Sequence, residues 1–179
     1  MKGNMKMNEI IKAMIERRSC KSYKNDMLKK EDIKKVIEAG LWAANGRGLQ
    51  TPVIIAVTDK ETRDRLSKLN AAVFGANSDP FYNAPVVLIV LAPKEHPNRV
   101  YDGSLVMGNM MLAAHSMGIG SCWIHRAKEV MDTEEGKQIL KAVGLEGEWE
   151  GIGNCVLGYA DGPLKEAQPR KENRVFWVE

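Results

Sequence analysis

The chain has 179 residues, 44% of them hydrophobic and 27% charged, with a formal net charge of +3. That is the size and balance of a single domain able to bury its own core, and it excludes disordered, collagenous and membrane-spanning compositions. The three cysteines, Cys20, Cys122 and Cys155, are odd in number and never form C-x-x-C. They argue against a disulfide framework and, with no apolar export signal in "MKGNMKMNEI", lead to the expectation of a cytoplasmic protein.

In chain order, Ile10, Ile11, Met14 and Ile15 recur at helical spacing and predict an amphipathic helix over about 6–17. A second helix carries Ile33, Val36, Ile37, Leu41 and Ala44 and stops at "NGRG", residues 45–48. "PVIIAVTD" (52–59) and "APVVLIVLAP" (84–93) read as buried strands, with a polar helix over 60–70 between them. Residues 99–117 are apolar on nearly every side of a helical wheel, which predicts a helix buried all round. "SCWIHR" (121–126) is expected as a strand, residues 133–143 as a short helix, and "GIGNCVLGYA" (151–160) as a glycine-punctuated strand. A polar tail then carries "PRKENR" (169–174) and a strand-like "VFWV" (175–178). Helices and strands mix without a strict βαβ repeat, so the fold class is α+β.

The usual catalytic groups are sparse. There are three histidines, and no G-x-S-x-G, H-E-x-x-H or P-loop motif occurs. Cys122 and His125 are three apart on a predicted strand and face opposite sides, which makes a shared metal ion implausible. The glycines of "GLEGEWEGIG" (144–153) lack the strand, G-x-G-x-x-G, helix order of a dinucleotide fold. Either the protein is no enzyme or a cofactor carries its chemistry.

Charge is concentrated at one end, where residues 1–35 hold 11 Lys or Arg against 5 acids. "RRSCK" gathers Arg17, Arg18, Ser19 and Lys21 there. The plain reading is that the arginines complement the C-terminal end of the first helix and are otherwise solvated. Against it, Ser19 and Lys21 share one side of an extended segment, so a hydroxyl, an ammonium and a forked guanidinium can converge on one oxyanion. A phosphate would satisfy all three. Nucleic acid is a weaker partner, because only Tyr23 is interleaved with the charges.

"RRSCKSY", "LWAANGRGLQTP", "DGSLVMGNMMLAAHSMGIGSCWIH" and "GNCVLGYADGP…PRK" together resemble the FMN-dependent nitroreductase family, in the right order and over nearly the whole chain. The resemblance implies a nitroreductase-like α+β fold: a central mixed or antiparallel sheet flanked by helices, with a buried central helix at a dimer interface. It implies one domain over 1–179 whose tail, about 162–179, extends onto the partner subunit. By the same resemblance Arg17, Arg18, Ser19 and Lys21 bind the FMN phosphate and reach the flavin. Gln50, Cys122, Trp123, Ile124 and His125 lie around the ring, and Arg170 with Lys171 completes the phosphate site. Ten positions of the family pattern A-P-S-x-x-N-x-Q-P-W fall on residues 43–52, where only Ala43 and Gln50 keep their places. Gly48 replaces an amide and Arg47 adds a cation, so acceptor preference does not carry over.

The implied activity is hydride transfer from NADH or NADPH through FMN to an electron-poor acceptor such as a nitroaromatic or quinone, by ping-pong turnover in a homodimer, with no nucleic acid or membrane partner. No side chain is assigned a catalytic role, and no metal is expected. The alternatives are an FMN carrier or sensor without turnover, and a specialised flavin enzyme of the same fold, of dehalogenating or flavin-fragmenting type.

Overall fold

A computed structural model describes residues 7–179. Six helices, α1 (Glu9–Glu16), α2 (Lys30–Leu41), α3 (Lys60–Phe74), α4 (Arg99–Ser116), α5 (Ala127–Met131) and α6 (Glu134–Ala142), accompany four strands, β1 (Val53–Val57), β2 (Val86–Pro93), β3 (Gly120–Ile124) and β4 (Trp149–Gly158). The strands form one sheet in the order β1-β2-β4-β3, antiparallel at every pairing. The expected mixed or antiparallel sheet therefore resolves to the antiparallel form.

Helices cover both faces of this sheet, so the central strand β2 has no polar side to show. Val87, Ile89 and Leu91 enter a core with Ile55, Leu66, Phe81, Val130 and Ile139. Val86, Leu88 and Val90 enter a second core with Ile33, Val36, Val106, Met107 and Met110 on α2 and α4. An unbroken apolar run, usual for parallel sheets, arises here because an antiparallel strand is sandwiched. Each fully buried Leu or Ile contributes about 2–3 kcal/mol. In β4 the register slips opposite Val90 and Leu91, a bulge at Ile152. The next residue is Gly153, where a Cβ would lie 2.7 Å from the indole nitrogen of Trp123.

Local signals account for several helix ends. The Asn8 side chain accepts from Ile10 and Ile11, Asp59 from Thr62 and Thr133 from Gly136, while Gly75 in left-handed geometry terminates α3.

Several expectations change. "PVIIAVTD" is an edge strand and only partly buried, because β1 pairs on one side alone. The polar helix runs on to Phe74, and α5 lies where no helix was predicted. α4 is not buried all round: Val106, Met107 and Met110 are enclosed, but Tyr101 is 72% exposed and Leu105 is exposed too. "VFWV" forms no strand. Among the described residues no helix is long and apolar enough to cross a membrane.

Candidate functional site

α1 ends where Arg17 takes extended backbone angles, and the chain then runs straight into the sheet margin. Ser19 bridges Ser121 in parallel, and Cys20 N–H donates to the Ser121 carbonyl at 2.9 Å. Tyr23 bridges Ala160 antiparallel, Lys24 N–H donates to Tyr159, and Asp161 N–H donates to Ser22. Segment 17–24 is thus tied to the edge strand β3 and to the end of β4. Cys20 and Tyr23 turn inward and anchor it, while Ser19 and Lys21 turn to solvent.

The two arginines have different fates. One Nη of Arg18 donates to the carbonyls of Ile15 (2.6 Å) and Arg17 (2.7 Å), satisfying the end of α1. That is the plain reading of the pair, and it holds for Arg18. Arg17 is half-buried, and its Nη1 is buried with no hydrogen-bond partner. A guanidinium nitrogen in that state is costly unless an acceptor arrives. The Oγ of Ser121, on the strand beside Ser19, is buried and unpartnered as well.

A cavity of about 440 Å³ opens on this segment, lined by Arg18, Ser19, Lys21 and Ser22 and closed by Asp161–Lys165. The tail residues Asp161 and Lys165 were not anticipated, because nothing local in their sequence says that they return to the first basic segment. A slightly larger cavity, about 500 Å³, lies between α3 and residues 76–83. Its polar walls satisfy one another: Arg63 donates to Asp79 and to the Ala84 carbonyl, and Ser67 donates to Asp79. The basic segment, with its unspent donors, is the better site.

Strand alternation sorts the β3 candidates. Cys122 and Ile124 point into the core and can offer a ligand only backbone, Trp123 is half-buried over Gly153, and His125 is exposed. Burial pushes the Cys122 thiol up, although a hydrogen bond with Ser19 and the charges of Lys21 and Arg17 oppose it. Complete burial pushes Cys155 up to about 12. Neither is a ready thiolate. The exit from β3 is rigid: Asn70 Nδ2 donates to the His125 carbonyl at 2.8 Å, and Arg126 adopts φ 71° with its guanidinium 3.8 Å from the Phe74 ring centroid. The signal that could have found Asn70 is an amide on the buried side of an amphipathic helix.

Gln50 does not line the cavity on the basic segment, and among the described residues it makes no hydrogen bond with Arg17–Lys21. Its N–H donates to Asn45 Oδ1 at 2.9 Å, in a turn where Arg47, Gly48 and Gln50 all have positive φ. Each of the two non-glycine residues costs about 1 kcal/mol there. Arg170 and Lys171 are exposed, and Arg170 donates only to the nearby Gln168 carbonyl. The single chain does not bring them to the basic segment.

The Nitroreductase family model matches residues 14–79 and 71–159. A protein of Archaeoglobus fulgidus, provisionally named as an NADH dehydrogenase/NAD(P)H nitroreductase, is 32% identical over 123 residues, covering 66% of this chain and 68% of its own length. The FMN reductase [NAD(P)H] of Bacillus subtilis is 29% identical over 132 residues, 64% of this chain, which spans about half (53%) of that protein. A crystal structure of a Bacteroides fragilis nitroreductase with bound FMN superposes with a TM-score of 0.88 over 97% of this chain and all of that one, at 26% identity. An iodotyrosine deiodinase structure bound to FMN and 3-iodo-L-tyrosine superposes with a TM-score of 0.74 at 21% identity, a likeness of fold alone. The four-stranded antiparallel sheet, the basic segment beside its β3 edge and the matched family model together place this chain in the nitroreductase family.

Proposed function

We propose that the protein is an FMN-dependent oxidoreductase that takes hydride from NADH or NADPH and delivers it to a flat, electron-poor acceptor such as a nitroaromatic or quinone. The observation that carries this reading is the buried, unpartnered Nη1 of Arg17 beside the outward Ser19 and Lys21. Those donors fit a phosphate monoester: a guanidinium, a hydroxyl and an ammonium supply charge-assisted bonds to its oxygens. The FMN-bound relative and the relative named as an FMN reductase support the same cofactor.

When bound, FMN would supply the hydride chemistry that the chain's own side chains lack. The chain's part is to bind and orient. Arg17, Ser19 and Lys21 would hold the phosphate end, and the Lys21 ammonium would add positive charge that favours an anionic reduced flavin. Arg18 fixes the end of α1 and thereby the start of the binding segment. The rigid exit of β3 presents Trp123 and His125 as one wall, with Cys122 and Ile124 contributing backbone. Arg170 and Lys171, which this chain alone does not bring to the basic segment, would have to reach the phosphate from the tail of a second copy. With both substrates using one open site in turn, steady-state kinetics follow a ping-pong pattern.

The working unit is a homodimer. α1 buries no residue although Ile10, Ile11, Met14 and Ile15 are apolar, and Phe176 and Trp177 of the tail are 84% and 82% exposed. Such surface on a small chain supports a second copy as its cover. The tail from about residue 162 is the element that embraces that copy. Sedimentation with and without residues 163–179 tests this, and a truncated chain that stays dimeric would refute the embrace.

The deciding experiment is the visible spectrum of purified protein, followed by heat release and identification of the chromophore. One FMN per chain, bleached rapidly by NADH or NADPH without air, is expected. Bound flavin that ignores both reductants would instead make the protein a carrier, and failure to take up added FMN would overturn the cofactor.

A further inference from the structure

Asp102 is an acid in the first turn of the apolar helix α4 and is only 4% exposed. Its Oδ1 accepts from the backbone N–H of Gly46 at 3.0 Å, a contact spanning 56 residues. Its Oδ2 lies 3.0 Å from Nε2 of His96, itself largely buried. The turn it reaches is the one with three positive φ angles, at Arg47, Gly48 and Gln50. Beside the tether, a Cβ on Gly46 would come within 2.4 Å of Asn98 Nδ2, so the turn is pressed against the start of α4. On its far side Asn45 Oδ1 holds the Gln50 N–H.

We propose that His96 and Asp102 are a positioning pair for the active site: His96 orients the Asp102 carboxylate, and Asp102 latches residues 45–50 in the strained form that presents Gln50 and Arg47. This rests on the flavin reading together with the family resemblance, which sets Gln50 by the flavin ring. A buried carboxylate is retained only with full partners, and here both partners lie outside its own helix, one of them the strained turn. A side chain kept only to fill α4 would need neither.

The test compares Asp102→Ala, Asp102→Asn, His96→Leu and His96→Gln on the purified full-length protein, by hydrogen exchange of amides 45–50 and by FMN titration. Asp102→Ala should speed exchange at Gly46 at least tenfold and weaken FMN binding about tenfold. His96→Leu should do both to a lesser degree, and His96→Gln, whose amide can donate where Nε2 does, should restore both. Asp102→Asn keeps an acceptor for Gly46 and guards against loss of folding as the cause.

Exchange at Gly46 unchanged in Asp102→Ala would overturn the latch. Faster exchange with unaltered FMN affinity would overturn its role in the site. If the unsubstituted protein takes up no FMN, the flavin reading has failed, while the exchange data still judge the latch.

Discussion

Two sets of apolar residues in this chain meet opposite fates. Leu88, Ile89 and Val90 in β2 have no exposed surface at all, whereas Ile10 of α1 is 61% exposed and Trp177 of the tail 82%. The first set lies where two helical layers close on one sheet. The second lies where a single chain has run out of layers. Both sets are largely apolar, so the contrast separates what one chain can finish from what it leaves for an outside partner.

The strongest way to break that contrast is Leu88→Ala. It should cost about 2–5 kcal/mol in a denaturant titration, and a small loss would mean that the interior is less closely packed than the fold implies.

A step smaller is Asp79→Ala, expected to cost about 2 kcal/mol by taking one partner from the buried Arg63, which keeps Asp64 and the Ala84 carbonyl. Burial pulls the Asp79 carboxyl up, but hydrogen bonds from Ser67, Arg63 and the N–H groups of Asn83 and Phe81 outweigh it and hold it below the ordinary 3.8. A depressed folded-state value means stability present above about pH 4 and lost as pH falls through that value. Asp79→Asn should flatten this acid limb, and equal limbs in both proteins would contradict the assignment.

Arg17→Gln sharpens the comparison at the site. FMN affinity should fall about 10- to 100-fold, the loss of about 1.5–3 kcal/mol of charge-assisted hydrogen bonding. The unfolding midpoint of the flavin-free chain should hold or rise, because an unpaired buried donor is removed. Gly75→Ala should cost about 1 kcal/mol, through its φ of 72° at the end of α3.

Trp177→Ser is expected at the bottom of the series. In dilute monomer it should change stability by less than about 0.5 kcal/mol, while at higher concentration it should shift the sedimentation profile toward monomer. A large effect on the monomer would mean that the tail packs on its own chain.

Local periodicity was enough to locate α1, α2, α4, β2 and β4 to within a few residues, because 3.6- and 2-residue repeats are properties of short segments. The order of "RRSCK", the apolar helix and "SCWIH" was likewise legible, and it carried the family. What no local pattern could supply was the difference between adjacent arginines. Arg18 turns back to the carbonyl of Ile15, while Arg17 is half-buried with a buried Nη1 that has no partner. The edge position of β1, the return of Lys165 to the first basic segment and the hold of Asp102 on Gly46 were equally hidden. Each joins residues distant in sequence, or depends on which neighbours are missing. The sequence by itself determined most of the segments that would be helix or strand, though not α5 or the strandless "VFWV", and which charges were available to an anion. Only the tertiary structure decided which of those charges stayed unspent, because a donor's freedom depends on every acceptor that folding brings within reach.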